Sequence, residues 1–160
     1  MVPPGKVDPF DLFNPLRTKP VVVAAQDARF GRIEVRRGIF TYHGATLRIV
    51  QRAGWGDAMR YLLTGEEFDA QTEIGMGLVQ EVVPSREQLI RATALAEIIA
   101  AQAPLAVTET IRLSRKGLFH GWPTAISDLG PLQRDIMRTE DAAEGMRSFQ
   151  EKRDSVFTGR

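Results

Sequence analysis

The chain has 160 residues, of which 43% are hydrophobic and 26% are charged, which is typical of one globular domain. Its 21 basic and 20 acidic residues give a net charge of +1, so no strong overall field attracts nucleic acid or an anionic membrane. Its lack of cysteine excludes disulfides and thiol nucleophiles, and with only 2 histidines we expect no metal site built from protein ligands alone.

Residues 1–20 are rich in proline and turn-forming residues and predict an irregular leader. They lack the apolar core of a signal peptide, and no apolar run in the chain approaches the length of a membrane span. From these features we expect a cytoplasmic protein without a membrane or nucleic-acid partner.

The first predicted strand is the apolar run at residues 21–25, and a second short extended run is predicted at residues 33–35, where Glu34 lies between Ile33 and Val35. Two buried parallel strands are normally joined by a crossover of a dozen or more residues. Residues 26–32 provide only a short polar link. The pattern therefore raises the question of what these two strands belong to and whether a segment that should lie between them is absent.

The rest of the chain is predicted to be mostly helical, with helix breakers and caps marking the boundaries. The predicted elements, in chain order, are helices at residues 46–53 and 57–63, a helix start capped by Asp69, a strand at residues 77–83 ended by Pro84, a helix opened by a capping box of Ser85 and Gln88, a helix started by Pro104, a helical stretch from Pro123 interrupted at Gly130 and Pro131, and a last helix at residues 140–152 capped by Thr139.

Six sequence words stand in a specific order, and they carry more information than the spacing. They are YLLTGEEFDA at residues 61–70, GLVQEVVP at 77–84, AQAPLAV at 101–107, and DAAEG, FQEKR and FTGR between 141 and 160. With KPVVVA and ARFG upstream, they closely resemble the enoyl-CoA hydratase/isomerase (crotonase) family over residues 5–160. The resemblance implies an α/β fold: a truncated crotonase-like ββα core at residues 1–84, followed by a C-terminal helical oligomerisation region at residues 85–160.

The resemblance also bears on the short link after residue 25. In that family the strand is followed by a glycine-rich turn, which supplies one backbone N–H of an oxyanion hole, and by a helix that begins with a glutamate. Here Ala25 is followed almost at once by Gln26, Asp27 and Ala28. The resemblance therefore implies a family member without its N-terminal part and without an internal glycine-rich segment, so that its catalytic activity is impaired.

The function implied by the resemblance is action on acyl-CoA thioesters, most like an enoyl-CoA hydratase that adds water to a 2-enoyl-CoA. Glu34 matches a family acid/base position, and a carboxylate has the chemistry for that proton transfer. Phe149 and Lys152 match positions that help to hold the coenzyme A nucleotide, which is part of the substrate, so no separate cofactor is expected. Family members form trimers or dimers of trimers, so a homo-oligomer is also implied.

Each of these assignments has a structural alternative. Glu34 could be an exposed strand residue paired with Arg36 or Arg37. Phe149 could pack in the core beneath the last helix, and Lys152 could be a surface charge favoured by the helix dipole. For the whole chain, the alternative function is that of a catalytically deficient family member that serves as an oligomerisation or interaction module.

Overall fold

The computed structural model describes residues 21–41 and 44–160. These residues divide into two units, one ending at Thr93 and the other comprising Ala94–Arg160. The domain boundary predicted between residues 84 and 85 stays a prediction, and the predicted leader lies outside the described residues. In the part of the chain that the structure describes, no single helix is long and apolar enough to cross a membrane, although the bent pair Gln88–Ala100 and Pro104–His120 together has the length and composition.

The first unit contains short strands and helices that alternate along the chain. They are β1 at Val23–Ala25, β2 at Arg29–Phe30, a 3-10 helix at Ile33–Arg37, α1 at Ala45–Ala53, α2 at Trp55–Thr64, β3 at Phe68–Asp69, α3 at Ala70–Gly75 and β4 at Glu81–Val83. The unit boundary falls within α4 at Gln88–Ala100, and the second unit contains α5 at Pro104–His120, α6 at Trp122–Ile136 and α7 at Glu140–Glu151.

The strand pairing explains how so short a link can follow β1. β1 pairs with β4 in parallel, whereas β2 pairs with β3 in the antiparallel sense, so β1 and β2 belong to different sheets. No crossover is needed between them, and a turn suffices. The Gln26 N–H donates to the Val83 carbonyl at 2.8 Å, and the Ala28 N–H donates to the Ala25 carbonyl at 3.0 Å.

The strand predicted at residues 33–35 is wrong, because these residues begin the 3-10 helix. Gly38 ends this helix in the left-handed region with φ of 74°, where its N–H reaches the carbonyls of Glu34 and Val35. Three residues that alternate in polarity are too few to distinguish a strand from a turn of helix, and here the local hydrogen bonds decide.

Two apolar clusters make the core of the first unit. The larger one joins α1, α2 and β3 and consists of Ala45, Ile49, Ala58, Leu62, Phe68, Met76 and Leu78. The Phe68 ring lies 4.3 Å from the Tyr61 ring and 6.1 Å from the Phe30 ring, measured between centroids. The smaller cluster consists of Ala24, Ala70 and Val79, whose short side chains let α3 approach the β1–β4 sheet closely.

Several predicted helix boundaries of the first unit are confirmed, and two predictions need correction. The helices α1 and α2 form as predicted, and Asp69 caps α3 by accepting the Thr72 N–H at 2.9 Å. The strand predicted at residues 77–83 begins only at Glu81, because Gly77 turns the chain with φ of 72°. The Ser85–Gln88 capping box is wrong: Arg86 takes φ of 75°, and α4 begins only at Gln88.

In the second unit, α5 and α6 form a helical hairpin around Gly121, which takes φ of 84°. Pro104 starts α5 as predicted. The interruption predicted at Gly130 and Pro131 is wrong, because α6 continues through both residues. An interior proline costs a helix roughly 3 kcal/mol. Packing against α5 opposes that cost, and the ion pair of 2.7 Å between Lys116 Nζ and Asp128 Oδ2 joins the two helices.

The acidic residues near the start of α7 bind the last residues of the chain through hydrogen bonds. Thr139 caps α7 as predicted, by accepting the Ala142 N–H at 3.1 Å. The Asp141 carboxylate, in a residue that is only 3% exposed, accepts the N–H groups of Thr158 at 2.7 Å and Gly159 at 2.9 Å. The DAAEG and FTGR words are therefore bound directly to each other.

These bonds between α7 and the C-terminal tail form a clasp, and a second contact of the clasp joins Glu144 to Arg153. The two guanidinium Nη atoms of Arg153 donate to the two carboxylate oxygens of Glu144, one bond each, and the Val156 N–H adds a third bond at 3.2 Å. The Arg153 hydrogen bonds, followed by that of Val156, lower the pKa of Glu144 to about 2. The ion pair is therefore present over the whole neutral range and is lost only as pH falls toward 2.

We expect Asp141→Ala to lower the free energy of unfolding by about 3 kcal/mol, because two backbone N–H groups would lose their buried, charged acceptor. Urea denaturation followed by circular dichroism measures the change. The control is Asp154→Ala, which changes an exposed residue of the same tail and should alter stability by less than about 0.5 kcal/mol. Equal effects of the two substitutions would contradict the clasp.

Candidate active site

Glu34 is placed on the 3-10 helix, which packs against α2. The side chain is half-buried, and its Oε2 is fully buried without a hydrogen-bond partner among the described residues. The alternative of an exposed strand residue is therefore wrong, since Glu34 is neither exposed nor in a strand. A buried polar atom without a partner is costly, and such atoms in native proteins are often functional. Among the described residues, Glu34 Oε2 therefore has an unused capacity to accept a hydrogen bond.

Gly65 holds the helix that carries Glu34 against the end of α2. It terminates α2 in the left-handed region with φ of 64°. A Cβ at this position would lie 2.7 Å from Cγ and 2.8 Å from Cδ of Arg36, so the Arg36 stem crosses directly over the glycine. The Arg32 carbonyl lies 3.4 Å from the same point. Gly65 therefore provides the surface, here called the Gly65 seat, against which Arg32 and Arg36 of the 3-10 helix segment pack.

The turn after β1 is occupied by its own hydrogen bonds. The N–H groups of Gln26 and Ala28 both donate to backbone carbonyls of the sheet and turn. Stabilising an oxyanion requires N–H donors aimed at the oxygen where negative charge develops. These two donors are committed internally and do not point at a ligand.

Phe149 and Lys152 lie together at the C-terminal end of α7, where the Lys152 N–H donates to the Phe149 carbonyl at 3.3 Å. Phe149 is 84% exposed, so the alternative that it packs in the core beneath the last helix is wrong. Lys152 is exposed as well, and its backbone takes φ of 53°. The structure thus presents a ring and an ammonium on one turn of the second unit, whereas Glu34 belongs to the first unit.

Glu73 is a second buried carboxylate that the sequence reasoning missed. It is 3% exposed, its Oε2 has no partner within the described residues, and burial raises its pKa to about 7 against the opposing charge of Arg32. Ala70, Glu73 and Met76 are buried at a spacing of three residues, whereas Ile74 is 38% exposed. Hydrophobicity alone would predict that Ile74 is the buried residue. The signal that Glu73 is buried instead is its position three residues from both Ala70 and Met76.

The carboxylates of Glu34 and Glu73 do not belong to a cluster of possible metal ligands within the described residues. Across residues 21–41 and 44–160, no three His, Cys, Asp or Glu side chains are placed to hold one metal ion. Glu34, in the first unit, carries a carboxylate, the kind of group that can transfer a proton, whereas Phe149 and Lys152, in the second unit, present an aromatic ring and an ammonium group.

A protein-family model for enoyl-CoA hydratase/isomerase matches residues 19–160. The chain belongs to this family. It is 34% identical to 2,3-dehydroadipyl-CoA hydratase of Escherichia coli K12 over 140 residues, which are 88% of this chain and 55% of that protein. It thus spans about half the length of the curated relatives that it matches.

Solved structures of the family share the fold. Enoyl-CoA hydratase from Mycobacterium tuberculosis H37Rv superposes with a TM-score of 0.80 at 34% identity, covering 88% of this chain and 56% of that one. Enoyl-CoA hydratase from Bacillus anthracis superposes with a TM-score of 0.83 at 29% identity, covering 88% and 55%. The predicted α/β crotonase-like fold, with its helical C-terminal region, is confirmed.

We expect Gly65→Ala to lower the free energy of unfolding by about 2 kcal/mol, because a Cβ adds left-handed strain and displaces the Arg36 stem. Gly56→Ala is the matched control: Gly56 lies in α2 without a positive φ, and a Cβ added there would have nothing within 4 Å. There alanine should be neutral or stabilising by up to about 1 kcal/mol. Chemical denaturation compares the two variants, and a neutral Gly65→Ala would show that the seat is unimportant.

Proposed function

We propose that this chain binds acyl-CoA thioesters and adds water to a 2-enoyl-CoA, with Glu34 as the acid/base. The observation that carries the proposal is the Glu34 carboxylate, whose buried Oε2 has no partner among the described residues. A carboxylate is the kind of group that acts as an acid/base. Membership of the family and the similarity to relatives such as the short-chain-enoyl-CoA hydratase of Clostridium acetobutylicum support it.

The expected activity is low. Hydration places negative charge on the thioester oxygen, and loss of one oxyanion donor typically lowers the rate by about 10²–10³. The N–H groups of Gln26 and Ala28 are already used within the β1 turn. Proton transfer by Glu34 can contribute about 10²–10⁴ on its own, so residual turnover is the expected result.

Phe149 and Lys152 are the proposed contacts of the coenzyme A nucleotide. An exposed ring offers a face for the adenine, and an ammonium pairs with phosphate oxygens. Coenzyme A enters as part of the substrate, so the proposal needs no separate cofactor. We place the protein in the cytoplasm as a homo-oligomer, either a trimer or a hexamer.

A second candidate function is that of an interaction module without turnover. It is favoured by the apolar groove between α5 and α6, where Trp122 is 76% exposed and Leu118 and Ile126 are also exposed. Contiguous apolar surface of this kind is typical of association sites. This candidate predicts assembly in solution with no preference for a thioester.

The first experiment is a calorimetric titration of the purified chain with a 2-enoyl-CoA and, separately, with free coenzyme A. Tighter binding of the thioester would show that its carbonyl is recognised. Hydration, followed as loss of enoyl absorbance, should then fall at least about 100-fold in Glu34→Gln. Equal binding of both compounds, combined with association in sedimentation velocity, would reject the enzyme and favour the interaction module.

Lys152 offers a test in which binding and stability change in opposite directions. Lys152→Gly should raise the free energy of unfolding by about 1 kcal/mol, because glycine removes the left-handed strain, and should weaken coenzyme A binding about tenfold by removing the ammonium. Lys152→Ala is the control, with the same loss of affinity and no gain in stability. Unchanged affinity in both variants would remove Lys152 from the site.

A further inference from the structure

Glu73 is a buried acid that the proposed reaction does not use. Its backbone carbonyl accepts the N–H groups of Leu78 at 3.0 Å and Val79 at 3.4 Å, and both of these residues are in the core. Its carboxyl group belongs to a residue that is only 3% exposed, so it is largely screened from water. The unpartnered Oε2 shows that the surrounding protein offers it no hydrogen bond among the described residues.

Of the charged residues near Glu73 in the described structure, Arg32 acts on it, whereas others interact with different partners. α3 packs against β2, β3 and β4, and the cation that acts on Glu73 is Arg32, just beyond β2. The other charged groups on these strands are engaged elsewhere: Arg29 acts on Asp69, which caps α3, and Glu81 pairs with Arg91 at 2.6 Å. Since the charged groups of these strands already have other partners, ionised Glu73 would attract Arg32, which follows β2.

Arg32 is also the residue from which the 3-10 helix starts. Its Nη1 donates to the Gly31 carbonyl at 2.8 Å, and it stands at the N-cap of Ile33–Arg37. Its own carbonyl lies near the Gly65 seat. A change in where the Arg32 side chain bonds would therefore move the start of the segment that carries Glu34.

We propose that Glu73 and Arg32 form a proton-controlled switch that sets the position of the 3-10 helix. With the Glu73 carboxyl protonated, Arg32 stays on the Gly31 carbonyl and the helix rests on Gly65. When the proton leaves, a buried carboxylate remains without a partner, which is unfavourable. The Arg32 guanidinium then leaves Gly31 for Glu73 and draws the helix start with it. The switch holds whether or not the chain turns over acyl-CoA.

The neutral range is where this transition falls, because burial raises the pKa of Glu73 to about 7 from an ordinary 4.5. A raised pKa means that the stability contribution is complete below about pH 4.5 and is lost as pH rises through 7. The unfolding equilibrium constant should increase by up to about 300-fold over that interval.

The test is a pH titration of the whole chain by NMR between pH 5 and 8.5, following the backbone amides of the 3-10 helix. We expect these amides to shift with a midpoint near pH 7 in the wild type and not in Glu73→Gln. The matched control is Glu67→Gln, since Glu67 also lies beside the segment, with its Cγ 3.4 Å from the Cβ position of Gly31. That variant should titrate like the wild type.

A second variant separates a switch from an acid that is merely buried, and it remains informative if Glu73→Gln fails to fold. In Arg32→Gln the Glu73 carboxyl still titrates, so the pH dependence of urea stability should remain, whereas the amide shifts of the 3-10 helix should disappear. A wild type whose helix amides do not respond between pH 5 and 8.5, or shifts that persist in Arg32→Gln, would overturn the proposal.

Discussion

The parallel pairing of β1 with β4 is the contact on which the first unit depends. It joins Val23–Ala25 to Glu81–Val83 across most of that unit's length, so everything between the two strands must fold back over this ladder. The Gln80 side chain extends the ladder by accepting the Val22 N–H at 2.9 Å. Because the ladder is only three residues long, the aromatic contacts of Phe68 and the small residues under α3 must supply much of its stability.

The same pairing determines what surrounds the two buried carboxylates. α3 leads from β3 toward β4, and packing it on the sheet buries Glu73. β2 pairs with β3 and leads into the 3-10 helix, which brings Glu34 against the end of α2. Each of these acids retains an oxygen without a partner among the described residues. Folding thus leaves two carboxyl groups whose hydrogen bonding is incomplete among the described residues.

Some residues of the C-terminal sequence words form bonds within the chain, and others are exposed to solvent. Asp141, Glu144 and Arg153 are used inside the chain, where they bind the tail to α7. Phe149 and Lys152 lie within the same words but point away from these bonds into solvent. A match to a family word therefore does not by itself tell which of its residues bind a ligand. The hydrogen bonds show which members of the word are structural.

Much of this fold follows from local sequence signals. The caps at Asp69 and Thr139, the start of α5 at Pro104 and the ends of α1 and α2 at glycines depend on a few neighbouring residues, so the sequence by itself determined them. The ordered words, which resemble a known family, also placed Glu34, Phe149 and Lys152 as site candidates. Tertiary structure alone decided that β1 and β2 belong to different sheets, that α6 continues through Pro131, and that α3 buries Glu73 rather than Ile74. The physical reason is that strand partners, helix packing and burial are set by residues far apart in the chain, whose free energies outweigh the local preferences of three or four residues.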